Sequence, residues 1–185
     1  MKIRFVYLCF LFILPPLQTW ADDYPWLPDP SCKLRKPHPE GLYPNALTGL
    51  NKLGLSARIT QAWNPAPAAS NVHGTDSAID GVAYTGAVDL SIRCLDETQI
   101  KRLLTELTST GFIAWYRKDG VDGWTGSNHV HAVWVGDTLK TVLRRQVTSW
   151  TKRKNGLRSD LEYQFWQADN ATIEAIKTRY DAANH

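Results

Sequence analysis

Apolar and polar positions alternate most clearly from residue 88 onward. Val88, Leu90, Ile92 and Cys94 occupy every second place, with Asp89, Ser91 and Arg93 between them. This pattern predicts a strand with one apolar and one polar face. Asp96 then reads as a helix cap, with Gln99 three residues on completing a capping box. Ile100, Leu103, Leu104 and Leu107 recur at helical spacing until Gly111 ends the run. Residues 112–116 predict a second strand, the Gly- and Asp-rich stretch 120–128 a loop, and 129–135 a third strand. Asp137 is expected to cap another helix, with Leu139, Val142, Leu143, Val147 and Trp150 inward, ending at Gly156. A last helix begins near Asn170, which reads as its cap, and turns Ile173, Ile176 and Tyr180 inward.

Upstream the signals are weaker. Residues 22–40 are Pro-rich and lack periodicity, so they read as an irregular arm. A short helix is expected over 42–53, with Pro44 tolerated in its first turn and Gly54 closing it. Residues 55–63 read as a strand and 64–84 as loop. The sum is one α+β domain over 41–185, a small antiparallel sheet flanked by helices. There is no internal repeat, low-complexity tract or Gly-rich phosphate loop.

The N-terminus changes how composition is read. Lys2 and Arg4 precede an unbroken apolar run over 5–14, then Pro15 and Pro16, then Thr19-Trp20-Ala21. This is the pattern of a cleaved secretory signal over 1–21. The run is about half the length of a membrane span, so no membrane anchor is expected after cleavage. With 43% apolar and 21% charged residues among 185, the chain is not of a disordered, collagen-like or disulfide-dominated class. Loss of Lys2 and Arg4, with no acid, lowers the formal charge from +3 to +1, which removes any general electrostatic case for nucleic acid. Cys9 leaves with the signal. Cys32 and Cys94 remain, and a secreted or periplasmic location favours a bridge between them over two separate buried thiols.

Histidine is scarce, and its placement is informative. His38 lies in the arm and His185 ends the chain. His129 and His131 are two apart on a predicted strand and share one face, while Val130, Ala132 and Trp134 take the other. Asp89 stands on the polar side of a second strand, and His73 lies on the loop leading to it. Two imidazoles and a carboxylate are a ligand set that zinc accepts, with a fourth position left open in catalytic sites. A His-x-His pair alone is common, and solvated or structural histidines would produce it too.

At these residues the chain resembles the zinc-dependent D-alanyl-D-alanine carboxypeptidase and murein endopeptidase family, which has the hedgehog/DD-peptidase fold. That family carries a Ser-x-His-x-x-Gly-x-Ala-x-Asp segment, then a helix, a strand and a His-x-His or related motif. Gly86-Ala87-Val88-Asp89-Leu90 resembles the Asp end of the segment. The helix to Gly111, the Ala114-Trp115-Tyr116 strand and His129-Val130-His131 follow in the family's order, so the likeness spans roughly 42–135. Asn71 stands where the family has Ser. Family spacing leads from His73 to Asp80, whereas Asp89 requires an insertion of about nine residues. Asp89 is preferred because a strand and a helix follow it directly; Asp80, before Gly81 in a turn-like stretch, is the alternative. Ala62-Trp63-Asn64-Pro65 occupies the region where the family often has an Arg.

The resemblance implies that His73, Asp89 and His131 hold Zn2+ and that His129 is the general base or stabilises the oxyanion. It implies an exported monomeric peptidase cleaving an amide bond in peptidoglycan or a related peptide, as a carboxypeptidase or an endopeptidase. The rival readings are a non-catalytic, zinc-stabilised cell-wall-binding module and a secreted wall-degrading toxin or effector. Trp115, Tyr116 and Trp124 could wall a substrate cleft, although ordinary packing explains them as well. The basic run from Lys140 to Arg158 reads first as a solvated helix face, and second as a means of steering towards anionic wall polymer.

Overall fold

Local chemistry accounts for most of the helices in a computed structural model of the chain, which describes residues 26, 31–65 and 71–184. The expected signal segment 1–21, with Cys9, lies outside the described residues, as does His185. Helix α1 (Pro44–Lys52) starts on its proline. Helix α2 (Glu97–Thr110) has the expected capping box, with Asp96 accepting from the Gln99 amide and Gln99 accepting from that of Asp96. Gly111 closes it at φ 114°, a conformation that suits glycine. Helix α3 (Thr141–Thr151) begins later and ends earlier than the sequence pattern suggests. Asp137 does not cap it, because its carboxylate accepts the Trp134 indole N–H at 2.8 Å. Helix α4 spans Asn170–Asn184; Asp169, not Asn170, accepts the Thr172 amide at its start.

The strands are shorter than the periodicity implies. After a 3-10 turn at Ser56–Arg58 come β1 (Ile59–Gln61), β2 (Ser77–Ile79), β3 (Val82–Tyr84), β4 (Ala87–Leu90), β5 (Phe112–Arg117) and β6 (His129–Trp134). β4 stops at Leu90 rather than running to Cys94, which sits at φ 60°. The expected loop over 64–84 contains a hairpin, β2–β3, turned by Asp80 (φ 51°) and Gly81 (φ 80°). Asp-Gly suits a two-residue turn in which both residues take positive φ.

β1, β4, β6 and β5 form one antiparallel sheet in that order. On one face Val88, Leu90, Ala114, Val130 and Ala132 pack against Leu50 of α1 and Ile100, Leu103, Leu104 and Leu107 of α2. On the other, Ala87, Ile113, Trp115 and Val133 pack against Leu143, Val147 and Trp150 of α3 and Ile173 and Ile176 of α4. The expectation of an α+β fold with an antiparallel sheet flanked by helices therefore holds. Only part of the second face is apolar. Towards the outer ends of β4, β5 and β6 it carries polar side chains, and the candidate site lies there.

A disulfide and a buried tryptophan help tie the arm to this frame. Cys32 and Cys94 form a disulfide, with Cα atoms 6.1 Å apart. Buried Arg58 donates to the Trp26 carbonyl at 2.7 Å and to the Ser91 and Arg93 carbonyls at 3.0 and 2.9 Å. Trp26 itself is fully buried in the α1/α2 core.

Candidate metal centre

Strand register brings the central groups together. His131 on β6 pairs with Asp89 on β4 to one side and with Trp115 on β5 to the other. Period-two alternation points all three towards the same face, and His129 pairs with Arg117 one step further out. The sheet alone thus aligns Asp89, His131 and Trp115 in a row, although they are distant in sequence.

His73 comes from the loop before the β2–β3 hairpin, so another device must hold it in place. Asp76 provides one. Its side chain is fully buried and accepts from the Gly86 amide at 2.6 Å and from the Lys140 amide at 3.2 Å. The Lys140 ammonium lies 3.4 Å from the same carboxylate and also donates to the Gly74 carbonyl. One residue therefore joins the His73 loop, the start of β4 and the approach to α3. Burial tends to raise the Asp76 carboxyl above the usual carboxylate range, opposed by these hydrogen bonds and by Lys140.

His73 Nε2 lies 3.2 Å from Asp89 Oδ2, and His131 Nδ1 lies 2.8 Å from Asp89 Oδ1. The outer nitrogens of both rings are engaged elsewhere. His73 Nδ1 is 2.8 Å from the Ala62 carbonyl, and His131 Nε2 is 3.1 Å from Gln146 Oε1 on α3. A backbone carbonyl can only accept, so His73 carries its proton on Nδ1. Its inner nitrogen then presents a lone pair to a carboxylate oxygen, which is repulsive unless a second proton or a metal cation lies between them. The same holds for His131 while Gln146 presents its oxygen.

Burial pushes the His131 imidazole below its ordinary value, with Asp89 acting in the opposite direction, so a second proton on that ring is disfavoured. For Asp89, burial would raise the carboxyl, but His131 and His73, once a shared proton lies between ring and carboxylate, outweigh it and hold the group well below the usual carboxylate range. The three ligand atoms lie within 4.8 Å of one another, and this largely buried His73–Asp89–His131 group could hold a metal ion. Carbonyl acceptors on the outer nitrogens fix the tautomer and orientation of metal-binding histidines.

His129 lies beside the group without completing it. Its Nδ1 is 2.8 Å from the Ser127 carbonyl and its Nε2 is 3.6 Å from Asp89 Oδ1, while the Trp124 ring meets it edge-on at 5.2 Å. Asp80 is exposed on the hairpin turn. The stretch between His73 and Asp89 is chiefly this hairpin, which carries Asp80 outward and leaves Asp89 at the sheet.

A cavity of about 200 Å³ lies over the group, lined among others by Val72, Arg117, Trp124, Gln146 and Leu157. A larger polar groove of about 580 Å³ shares Asp89, Trp124 and His129 with it. Of the aromatic residues expected near a cleft, only Trp124 lines these spaces. Trp115 is fully buried, stacks on the His131 ring at 6.1 Å and donates its indole N–H to the Lys154 carbonyl. Tyr116 is on the opposite face of β5, edge-on to Phe165.

Gln146 and Arg117 were missed by the sequence reading, yet each carries a local signal. Gln146 is a polar residue on the apolar stripe of Leu143, Val147 and Trp150. Arg117 continues the alternation of Ile113 and Trp115 by one step, onto the site face. Gly49, Leu50 and the other buried residues of α1 lie on the far face of the sheet and do not contribute to the site.

No protein-family model matches this chain, and neither the curated proteins nor the solved structures contain a match. Among the described residues no helix is long and apolar enough to cross a membrane.

Proposed function

We propose that this protein is an exported zinc-dependent peptidase of the D-alanyl-D-alanine carboxypeptidase and murein endopeptidase type, hydrolysing an amide bond in peptidoglycan peptides. The observation that carries this reading is the meeting of His73, Asp89 and His131, with both inner imidazole nitrogens directed at one half-buried carboxylate. Two imidazoles and one carboxylate suit zinc, with a fourth position left for water or substrate. The resemblance at Gly86-Ala87-Val88-Asp89-Leu90 and His129-Val130-His131 supports the peptide substrate. The Cys32–Cys94 bridge supports an oxidising, secreted or periplasmic compartment.

A zinc ion held by these residues would polarise the scissile carbonyl and lower the pKa of a bound water towards about 7. His129, fixed through Nδ1 on the Ser127 carbonyl, has Nε2 free to accept the water's proton and return it to the leaving nitrogen. Ala62 and Gln146 hold the two ligand rings in orientation, and Trp124 forms one wall of the substrate space.

Metal content of the purified protein tests the ligand set. Wild type and Asp80→Ala should carry about one zinc per chain, whereas Asp89→Ala and His131→Ala should lose it. Full retention in both ligand variants would sink the assignment. Digestion of purified peptidoglycan tests the activity, and His129→Ala should slow product release by about 10²- to 10⁴-fold. A zinc-loaded wild type that releases nothing would instead favour the non-catalytic wall-binding module. Release from foreign cell walls only would mark a secreted toxin or effector.

A further inference from the structure

The arm before α1 carries a basic run that the peptidase reading leaves unused. Lys33, Arg35 and Lys36 follow Cys32 closely, and Arg93 immediately precedes Cys94. All four are exposed, and among the described residues none lies within ion-pair distance of a carboxylate. Glu40, the acid that closes this stretch, lies 3.8 Å from His38 instead. The expected mature chain has a formal charge of only +1, so the concentration of positive charge is local.

The covalent frame builds this patch. The Cys32–Cys94 bridge joins the residue before Lys33 to the residue after Arg93, which brings two basic segments together across a sequence separation of 62. Buried Arg58 fixes the Arg93 carbonyl at 2.9 Å, and the His38 amide donates to the Ile59 carbonyl at 3.0 Å. The run is therefore held at both ends. Like charges kept together repel one another, and an anion between them relieves that repulsion. Because the backbone is already fixed, little ordering cost remains when such a ligand arrives.

The surroundings narrow the ligand. Arg35 and Arg93 line the 580 Å³ groove together with Thr60, Gln61, Ser91 and Asn128. Hydroxyl and amide groups of this kind suit a hydrophilic, hydroxyl-bearing chain, and guanidinium forks match phosphate oxygens two at a time. Trp124 supplies the groove's one aromatic ring, whereas single-stranded nucleic acid is held by a succession of stacked rings. The exposed large apolar side chains Ile79, Val82, Val121 and Leu161 lie outside both groove and arm, so the patch has no apolar face to enter a lipid surface.

We propose that the arm and the chain leaving β4 form a second binding site, for an anionic polyol-phosphate polymer, with Arg35 and Arg93 on its phosphates. Thr60, Gln61, Ser91 and Asn128 meet the polyol hydroxyls. The site does not depend on the metal centre, although its groove reaches Asp89 and His129 and would hold the polymer beside them.

Fluorescently labelled poly(glycerol phosphate), titrated by anisotropy into the oxidised mature protein without metal, tests the site. Binding should be saturable at low salt and weaken steeply as salt rises, because bound phosphates release counterions. Arg35→Gln/Arg93→Gln should weaken it about 10- to 100-fold. Arg144→Gln/Arg145→Gln, on the exposed side of α3, should bind within about twofold of wild type. Thermal melts report folding, and all four positions are exposed. No saturable binding by wild type overturns the site. Equal weakening in both double variants also overturns it, since attraction would then follow overall charge. Tighter binding of an oligothymidylate or of anionic phospholipid vesicles than of the polymer would refute the assigned ligand. A protein that binds the polymer but releases nothing from peptidoglycan would keep this site and refute the peptidase; hydrolysis without polymer binding would do the reverse.

Discussion

Replacing Gln146 by Leu separates a metal centre from an ordinary buried polar cluster. The substitution keeps an unbranched-to-branched side chain of similar size on the apolar stripe of α3 but removes the acceptor of His131 Nε2, 3.1 Å away. His131 is 4% exposed and Gln146 6%, so water does not readily replace the lost partner. An unmet buried donor costs about 1–3 kcal/mol, partly offset by the gain from burying leucine carbons. For a chain of this size a net loss of about 1 kcal/mol lowers the melting temperature by about 2–4 °C. The larger effect should fall on metal. Loss of the ligand ring's hydrogen-bond partner weakens binding by about 10- to 100-fold, because the ring is no longer held with Nδ1 inward and its basicity drops. Competition against a chromophoric chelator measures zinc affinity, and calorimetry of the metal-free protein measures the fold. A zinc affinity unchanged within about threefold, together with a lowered melt, would show that Gln146 supports packing only and would refute its role in orienting a ligand.

Three further outcomes are expected. Because burial lowers the folded-state pKa of His131, the unfolded chain takes up that proton first. The metal-free protein should therefore keep full stability above about pH 6.5 and lose it progressively as pH falls below that. Asp89, held below the ordinary carboxylate range, adds a second loss in the same direction below about pH 4; a flat melting temperature from pH 7 to 5 would contradict the His131 part. Removing the Cys32–Cys94 bridge, which spans a sequence separation of 62, should cost about 4 kcal/mol in the chain-entropy model, and chemical denaturation of Cys32→Ser/Cys94→Ser against the oxidised protein would show it. Gly156→Ala should destabilise by about 2–4 kcal/mol and also weaken zinc binding, since Gly156 has φ 65° and a Cβ there would lie 2.6 Å from the Trp115 ring that stacks on His131. An Ala variant with wild-type melting and zinc affinity would show that the Trp115 stack does not position the site.

Elements governed by local chemistry were readable in the chain. α2 follows from Asp96, Gln99, a leucine-rich stripe and Gly111, all within one short segment. The shared face of His129 and His131 follows from strand alternation, which is a property of the backbone. The hairpin at Ser77–Ile79 and Val82–Tyr84 also had a local signal in Asp80-Gly81, which the reading of 64–84 as loop overlooked. The start of α3 could not be placed from Asp137, because that carboxylate is claimed by the Trp134 indole.

By itself the sequence determined which residue types were available and which faces they shared: His129 with His131, and Asp89 opposite its apolar neighbours. Tertiary structure decided which of them meet. The antiparallel register sets Asp89 and Trp115 on either side of His131, the outward turn of the hairpin removes Asp80, and Asp76 with Lys140 carries His73 back to the sheet. Arg117 and Gln146 acquire meaning only there. Their significance rests on burial and on which polar atoms find partners, and those depend on contacts between segments far apart in the chain.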